Sequence, residues 1–228
     1  MNQMTNIGKK QSGFTLIEIA IVLVIIGLLL GGVLQGQQLI ENSRVRAAAN
    51  DFDGIPAAMF SYLDRYGRLP GDDGPTATLA ARGAAWSGIT APVTATNGLL
   101  DAAAAGTFTG AAENGVLFQQ LRASGFIPGD PTLTGAAALP TNPFGGLIGL
   151  TNAAVMPAGV TGLQGNKICM SNVPGSAAIA LDTQLDDGVG TTGRFRATLG
   201  VAGAHTVPAA ILAAPYTEDA VYTICYRI

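Results

Sequence analysis

Residues 14–34 read FTLIEIAIVLVIIGLLLGGVL and form a nearly unbroken apolar stretch. At 1.5 Å rise per residue they would make a helix of about 32 Å, which matches the hydrocarbon core of a bilayer. The stretch is longer than the apolar core of a secretory signal peptide, and no A-x-A-like cleavage site directly follows it. It therefore predicts a single membrane-spanning helix near the N-terminus.

Glu18 is the one charged residue inside this apolar stretch. A carboxylate within a bilayer is costly unless it pairs with a cation or reaches the headgroups. Because Glu18 lies only five residues into the stretch, its side chain can reach the headgroups. Taken alone, Glu18 can be interpreted either as a side chain that simply reaches the headgroups or as a residue with a functional role.

The segment at residues 9–18, KKQSGFTLIE, resembles the N-terminal signal of type IV prepilins and type II secretion pseudopilins. That signal begins with a short basic leader that ends in glycine. The glycine is followed by Phe, by Thr-Leu-Ile-Glu and then by an apolar helix. The resemblance implies that residues 1–13 are a leader peptide. It also implies cleavage between Gly13 and Phe14 by a prepilin peptidase and N-methylation of the new Phe14 amine.

The resemblance further implies that Phe14 and Glu18 act in assembly. Glu18 of an incoming subunit would pair with the Phe14 ammonium of its neighbour, because a carboxylate in apolar surroundings requires an opposite charge. The implied partners are other pilin subunits, a prepilin peptidase/methyltransferase and an inner-membrane assembly platform. The precursor would cross the inner membrane once with a cytoplasmic N-terminus, and later join an extracytoplasmic or cell-surface filament.

The helix is predicted to continue far beyond the membrane, over residues 14–68, with 14–36 as the transmembrane or filament-core part. Pro56 predicts a kink, and the Leu-Pro-Gly sequence at 69–71 predicts the end. Apolar residues on one face recur at spacings of three and four: Phe52, Ile55, Met59, Leu63 and Tyr66.

The remaining residues, 69–228, are predicted to form an extracytoplasmic globular domain. Helices are predicted at 112–124 and 175–185, and β-branched and aromatic runs predict strands at 166–170, 194–201 and 220–228. The loop at 76–110 is predicted to be anchored by Trp86 and Phe108. With the resemblance, these elements predict an α+β, pilin-like fold: a long kinked N-terminal helix packed on a small antiparallel sheet, with long loops.

The chain contains two cysteines, Cys169 and Cys225, neither of them in a CxxC motif. The single histidine, His205, is not near either of them in sequence, so no zinc site is indicated. In an exported protein such a pair predicts one disulfide, and in a reducing compartment two buried thiols. The pilin resemblance implies the disulfide, which brackets the C-terminal region.

Three acids near the C-terminus, Asp182, Asp186 and Asp187, are weak candidates for calcium ligands. Their spacing does not match an EF-hand, and a plain helix end followed by a turn is favoured. We therefore predict no metal and no cofactor. The acid pair Asp72 and Asp73 is expected to be solvated in a turn, and Arg82 is expected to be a solvated surface charge.

With 12 basic and 15 acidic residues the net charge is −3, so no nucleic-acid partner is expected. No GxSxG, HExxH or P-loop motif is present, and the chain is predicted not to be an enzyme. Its length favours a minor or unusual pilin. The alternatives are a pseudopilin of a type II secretion system and, in another class, a signal-anchored extracytoplasmic enzyme or binding module.

Overall fold

The computed structural model of the chain describes residues 13, 15–91, 96–158, 161–208 and 216–228, without the side chains at 156–158 and 161. The chain divides into two compact units, Met1–Asn42 and Ser43–Ile228. The second unit contains nearly all of the tertiary packing and is called the body below.

The predicted long helix is confirmed, and α1 spans Leu16–Tyr66. Over residues 16–40 its large apolar side chains are all exposed, with exposed fractions of 45 to 88%. Apolar surface in water costs about 25 cal/mol per Å². This part of α1 therefore requires lipid or another protein chain against it.

Within the body, α1 buries one stripe of side chains at spacings of three and four: Val45, Ala48, Ala49, Phe52, Ile55, Ala58, Met59 and Tyr62. Leu63 was predicted on this face but is 36% exposed, and Tyr62 takes the core position instead. The helix continues through Pro56, and the kink there stays a prediction. It ends at Gly67, which has a φ of 68° and donates its N–H to the Leu63 carbonyl at 2.8 Å.

Four antiparallel strands form the main sheet in the order β1-β4-β6-β5. They are β1 (Ile148–Thr151), β4 (Lys167–Pro174), β5 (Phe195–Leu199) and β6 (Val221–Arg227). A separate hairpin pairs β2 (Val155–Ala158) with β3 (Thr161–Leu163). The predicted strands correspond to β4, β5 and β6. The sequence did not predict β1 to β3, because each is only three or four residues long and lacks a clear alternation.

Alternation along the strands gives the main sheet two different faces. Ile168 and Met170 belong to the large core that α1 covers, where the Phe52 ring meets the Tyr226 ring at 5.7 Å. Cys169 and Cys225 belong to a smaller cluster with Phe108, Val155 and Leu163. The outer face is therefore covered by the hairpin and by the loop that contains Phe108.

In the described part of the chain three shorter α-helices follow: α2 (Thr76–Ala80), α3 (Ala112–Ala123) and α4 (Gly175–Leu185). Both predicted helices are confirmed as α3 and α4. Trp86 and Phe108 are each 4% exposed, as expected of anchors for the long loop. The α+β pilin-like architecture predicted from the sequence is thus confirmed.

Buried polar side chains on α3 hold the long loop in place. Asn114 donates from Nδ2 to the carbonyls of Gly106 and Thr107 at 3.1 and 2.6 Å, and its Oδ1 accepts the Leu150 N–H at 2.9 Å. Gln120 accepts the Gly71 N–H at 2.7 Å. These contacts satisfy backbone groups that a loop without regular structure cannot pair by itself.

Candidate functional site

Thr15 and Glu18 close the N-terminal end of α1. The Thr15 N–H and hydroxyl donate to Glu18 Oε2 at 2.8 and 2.7 Å, and the Glu18 N–H donates to Thr15 Oγ1 at 3.4 Å. This reciprocal arrangement is a capping box, which satisfies N–H groups that a helix end leaves without partners. The T-x-x-E spacing could have predicted this cap from the sequence.

The predicted cleavage point lies just before the cap. Gly13 is exposed and non-helical, whereas Phe14 and the leader residues 1–12 lie outside the described residues. Cleavage between Gly13 and Phe14 and methylation of Phe14 therefore stay predictions. The described helix begins at Leu16, so Gly13 precedes it by three positions.

In the part of the chain that the structure describes, α1 is the one helix that is long and apolar enough to cross a membrane. Its most apolar segment is near the N-terminus, and none of that segment is buried. A family model for the prokaryotic N-terminal methylation motif matches residues 8–34. The chain carries a type IV pilin-like signal. A search of curated proteins gives no significant match to the chain.

The body of this pilin-like chain brings three predicted acids together at the end of α4. Carboxylate oxygens of Asp182, Asp186 and Asp187 lie within 4.8 Å of one another. Asp182 is fully buried and accepts the Tyr216 hydroxyl at 2.7 Å and the Gly188 N–H at 3.0 Å.

The two acids that follow α4 tie the next loop to the sheet. Asp186 accepts the backbone N–H groups of Arg194 and Phe195 at 2.5 and 2.8 Å, where β5 begins. Asp187 accepts the Thr192 hydroxyl at 2.5 Å. The cluster therefore has a structural role at the start of β5, and calcium binding there stays an untested weak prediction.

Asp182 makes the stability of the body depend on pH. Burial raises the pKa of Asp182 from 3.8 to about 6, although hydrogen bonds from Tyr216 and Gly188 oppose the rise. The nearby charges of Asp187 and Asp186 add to it. Because the pKa is raised in the folded state, the stabilisation is fully present below pH ~4 and is lost as pH rises through ~6.

We expect Asp182→Asn to be more stable than the parent chain at pH 7.5, by about 1 to 2 kcal/mol, and to have no such advantage at pH 4.5. The amide mimics the protonated acid. The measurement is guanidinium unfolding of the full chain in detergent, followed by the fluorescence of Trp86. Asp219→Asn, at an exposed acid, is the control, and an equal gain in both variants would contradict the assignment.

A second polar cluster corrects the prediction that Asp72 and Asp73 are solvated. Asp72 is 1% exposed and accepts the N–H groups of Asn97 and Gly98 at 3.0 and 2.7 Å. Asp73 is fully buried. The long loop folds back over this turn and excludes water from both acids, which no local pattern in the sequence indicates.

Arg82 pairs with Asp73, so it is not the solvated surface charge that was predicted. Its Nη1 lies 2.6 Å from Asp73 Oδ2 and 3.1 Å from the Tyr62 hydroxyl, which also donates to Asp73 at 2.7 Å. The guanidinium lies 4.3 Å from the ring centre of Tyr66 and 4.9 Å from that of Trp86. Burial and the bond to Asp73 raise the pKa of Tyr62. This cluster fastens the long loop to the end of α1.

We expect Arg82→Met to lower the free energy of unfolding by about 3 kcal/mol, because it leaves the Asp73 carboxylate buried without its cation. Arg68→Met is the matched control. Arg68 is 49% exposed and lies 4.0 Å from the other oxygen of Asp73, so its loss should cost less than about 1 kcal/mol. Guanidinium unfolding followed by Trp86 fluorescence compares the two, and equal losses would show that the burial of the pair is unimportant.

The disulfide between Cys169 and Cys225 is confirmed. The two residues are direct partners in the β4–β6 ladder, with Cα atoms 4.0 Å apart, and both are fully buried. The bond therefore joins neighbouring central strands and brackets α4, β5 and the loops between them.

His205, which lies in no sequence motif, contacts Ser171 through its Nδ1 atom at 2.9 Å from Oγ. Ser171 is fully buried and its Oγ also accepts the Leu147 N–H at 2.9 Å. A hydroxyl enclosed in this way is not open to a substrate. The contact positions the loop after β5 against the sheet.

Lys167 is a buried lysine that the sequence did not single out. Its Nζ donates to the Gly165 carbonyl, and among the described residues no carboxylate lies within ion-pair distance. Burial and the nearby charge of Arg227 lower the pKa of Lys167 to about 8. Lys167 is fully buried, so it is part of the packing around β4.

Proposed function

We propose that this chain is a structural subunit, minor or unusual, of a type IV pilus-like filament. The observation that carries the proposal is the bare apolar helix surface at residues 16–40. It overlaps the methylation-motif match at residues 8–34 and belongs to the same helix, α1, that packs in the body from Val45 onward. Removing a 13-residue leader from 228 residues leaves 215. That length favours a minor or unusual pilin over a simple major one.

Assembly begins with cleavage between Gly13 and Phe14 by a prepilin peptidase, which also methylates the new Phe14 amine. In the filament the Phe14 ammonium pairs with Glu18 of the neighbouring subunit and sets the axial register between subunits. The capping box supports this role, because it directs both Thr15 donors to Oε2 of Glu18. A carboxylate retains further lone pairs with which to accept a cation.

Before assembly the precursor crosses the inner membrane once, with the N-terminus in the cytoplasm. An assembly platform in that membrane then moves the subunit into an extracytoplasmic or cell-surface filament with other pilin subunits. The function is structural in this proposal and requires no catalysis by the chain. A pseudopilin of a type II secretion system would use the same steps of cleavage, methylation and pairing. The two proposals therefore differ only in which machine, a pilus or a secretion system, assembles the subunit.

The test is intact mass and N-terminal sequencing of the protein from sheared surface filaments. We expect a start at N-methyl-Phe14 and a mass lower by the two hydrogens that disulfide formation removes. A chain that starts at Met1 and stays in the membrane fraction would contradict the proposal and favour a signal-anchored module. Filaments that depend on a secretion machine instead of a pilus machine would favour the pseudopilin.

A further inference from the structure

The chain contains two Asn-Gly dipeptides, Asn97-Gly98 and Asn114-Gly115. In such a dipeptide the glycine nitrogen can attack the carbonyl carbon of the asparagine side chain, because glycine has no Cβ to hinder the approach. The attack closes a succinimide ring and releases ammonia. The structure places the two dipeptides in opposite surroundings, so it decides which of them can react.

Asn97-Gly98 lies in the long loop, and both residues are exposed. The Asn97 side chain is hydrogen-bonded through both of its polar atoms. Its Oδ1 accepts the Leu99 N–H at 2.8 Å, and its Nδ2 donates to Asp101 Oδ2 at 3.0 Å. A Cβ placed on Gly98 would meet no atom within 4 Å. The amide is therefore held beside its own backbone, at a place that water reaches.

The buried carboxylate of Asp72 binds the backbone of this dipeptide. Its Oδ2 accepts the Gly98 N–H at 2.7 Å and its Oδ1 accepts the Asn97 N–H at 3.0 Å. The Gly98 nitrogen is the atom that attacks, and it must lose its proton as it does so. A carboxylate already within hydrogen-bond reach of that proton has the position of a general base.

Asn114-Gly115 has none of these properties. Asn114 is 1% exposed and lies in α3, with Nδ2 bonded to the Thr107 carbonyl at 2.6 Å and Oδ1 to the Leu150 N–H at 2.9 Å. A Cβ on Gly115 would lie 2.2 Å from the Gly110 carbonyl oxygen. The backbone there is packed too closely to rearrange into a ring, so this dipeptide should be inert while the chain is folded.

We propose that Asn97 is a self-modification site, which the chain converts to aspartate or isoaspartate with Asp72 as the base. The Gly98 nitrogen bonds to Cγ of Asn97 while Asp72 takes the proton from that nitrogen. The Leu99 N–H stabilises the negative charge that develops on Oδ1, as an oxyanion hole does. This inference does not depend on the filament function.

The remaining steps need only water. The bond between Cγ and Nδ2 of Asn97 breaks, and Nδ2 takes a proton from water and leaves as ammonia, while Asp72 returns its proton to the solvent. A water molecule then adds to one of the two carbonyl groups of the succinimide. Opening on one side gives aspartate, and opening on the other side gives isoaspartate.

The product changes the loop. Where Nδ2 of Asn97 donated to Asp101, a carboxylate oxygen now faces the Asp101 carboxylate, and two negative charges at that distance repel each other. Isoaspartate also adds a carbon atom to the backbone. Each subunit therefore gains a negative charge on an exposed part of its body, and the loop there loses its bond to Asp101.

Peptide mapping of the full chain in detergent tests the proposal. Trypsin cleavage after Arg82 and Arg122 releases one peptide, 83–122, that contains both asparagines, so fragmentation in a mass spectrometer compares the two sites in the same molecule. We expect Asn97 to be modified roughly tenfold faster in the folded chain than in the guanidinium-unfolded chain, because only folding brings the base to Gly98. Asn114 should be modified in the unfolded chain alone.

Asp72→Asn removes the base. Its amide can still accept a backbone N–H but cannot take the proton, so modification of Asn97 should slow by roughly tenfold, to the unfolded rate. Asp219→Asn, at an exposed acid elsewhere, is the matched control and should keep the parent rate. Asn114 reports on the fold of each variant. If it is modified in Asp72→Asn, that variant unfolds and the comparison of the folded and unfolded parent chain decides.

Two results would overturn the proposal. One is a rate at Asn97 in the folded parent chain that is no higher than in the unfolded chain. The other is an Asp72→Asn variant that modifies Asn97 as fast as the parent chain while Asn114 stays intact. Both measurements use the purified chain, so their failure leaves the filament proposal in place, and a chain that forms no filaments leaves this one in place.

Discussion

Replacing Glu18 by alanine should remove surface filaments while the precursor is still cleaved after Gly13. We expect the filament yield to fall by roughly tenfold or more, because losing a desolvated ion pair costs more than the ~1.4 kcal/mol that equals a factor of ten. Sheared filaments are quantified against the cellular pool, and N-terminal sequencing of the cellular protein reports cleavage. Normal filaments from this variant would refute the role given to Glu18.

Glu18→Gln separates the charge from the helix cap. An amide oxygen at this position can still accept the Thr15 N–H and hydroxyl, as glutamine does in a capping box, but it cannot pair as an anion with the Phe14 ammonium. We therefore expect Glu18→Gln to fail in assembly as severely as the alanine variant. Full assembly with glutamine and failure with alanine would mean that the cap is what matters, and the pairing would be rejected.

Removal of the disulfide is the second change for which we expect a large effect, in this case on the stability of the body. Cys169 and Cys225 are separated by 56 positions, and closing a loop of that length lowers the entropy of the unfolded chain. We expect the double variant Cys169→Ala, Cys225→Ala to lose about 4 kcal/mol of unfolding free energy. Guanidinium unfolding of the full chain in detergent, followed by Trp86 fluorescence, measures the loss.

The parent chain with its disulfide reduced is the control for this prediction. Unfolded in guanidinium with a reductant and then refolded, it should have nearly the same unfolding midpoint as the double variant. Because both sulfurs are enclosed beneath Phe108 and the hairpin, the reductant should act only after unfolding. A loss of less than about 1 kcal/mol in the double variant would mean that sheet pairing alone fixes β4 beside β6.

Several elements could be predicted because their causes are local. The apolar stretch and the T-x-x-E cap dictate where α1 begins, and Gly67 dictates where it ends. The spacing of apolar residues identifies the face of α1 that packs on the sheet. β4 and β6 were recognised from dense β-branched and aromatic residues, and α4 from an apolar run that stops at two acids and a glycine.

Other features arise only when distant segments meet. Asp73 lies in what looks like an ordinary acidic turn, yet Arg82 and Tyr62 enclose it when the long loop folds over the end of α1. Likewise, nothing near His205 in sequence indicates Ser171, which reaches it through the packing of the loop after β5 against β4. Sequence patterns report propensity and periodicity, and neither encodes which loop covers which side chain.

The N-terminal signal, the long helix, the α+β class and the pairing of the two cysteines could all be predicted from the amino-acid sequence. The first three follow from the chemistry of residues that are close together in sequence. The cysteine pair follows from the presence of only two cysteines in the chain. The burial of Asp72 and Asp73 and the meeting of the three acids near β5 became visible only in the folded structure. These features depend on packing between segments that are distant in sequence. The burial of apolar surface determines the path of each loop, and the polar groups that become buried along that path then form hydrogen bonds with one another.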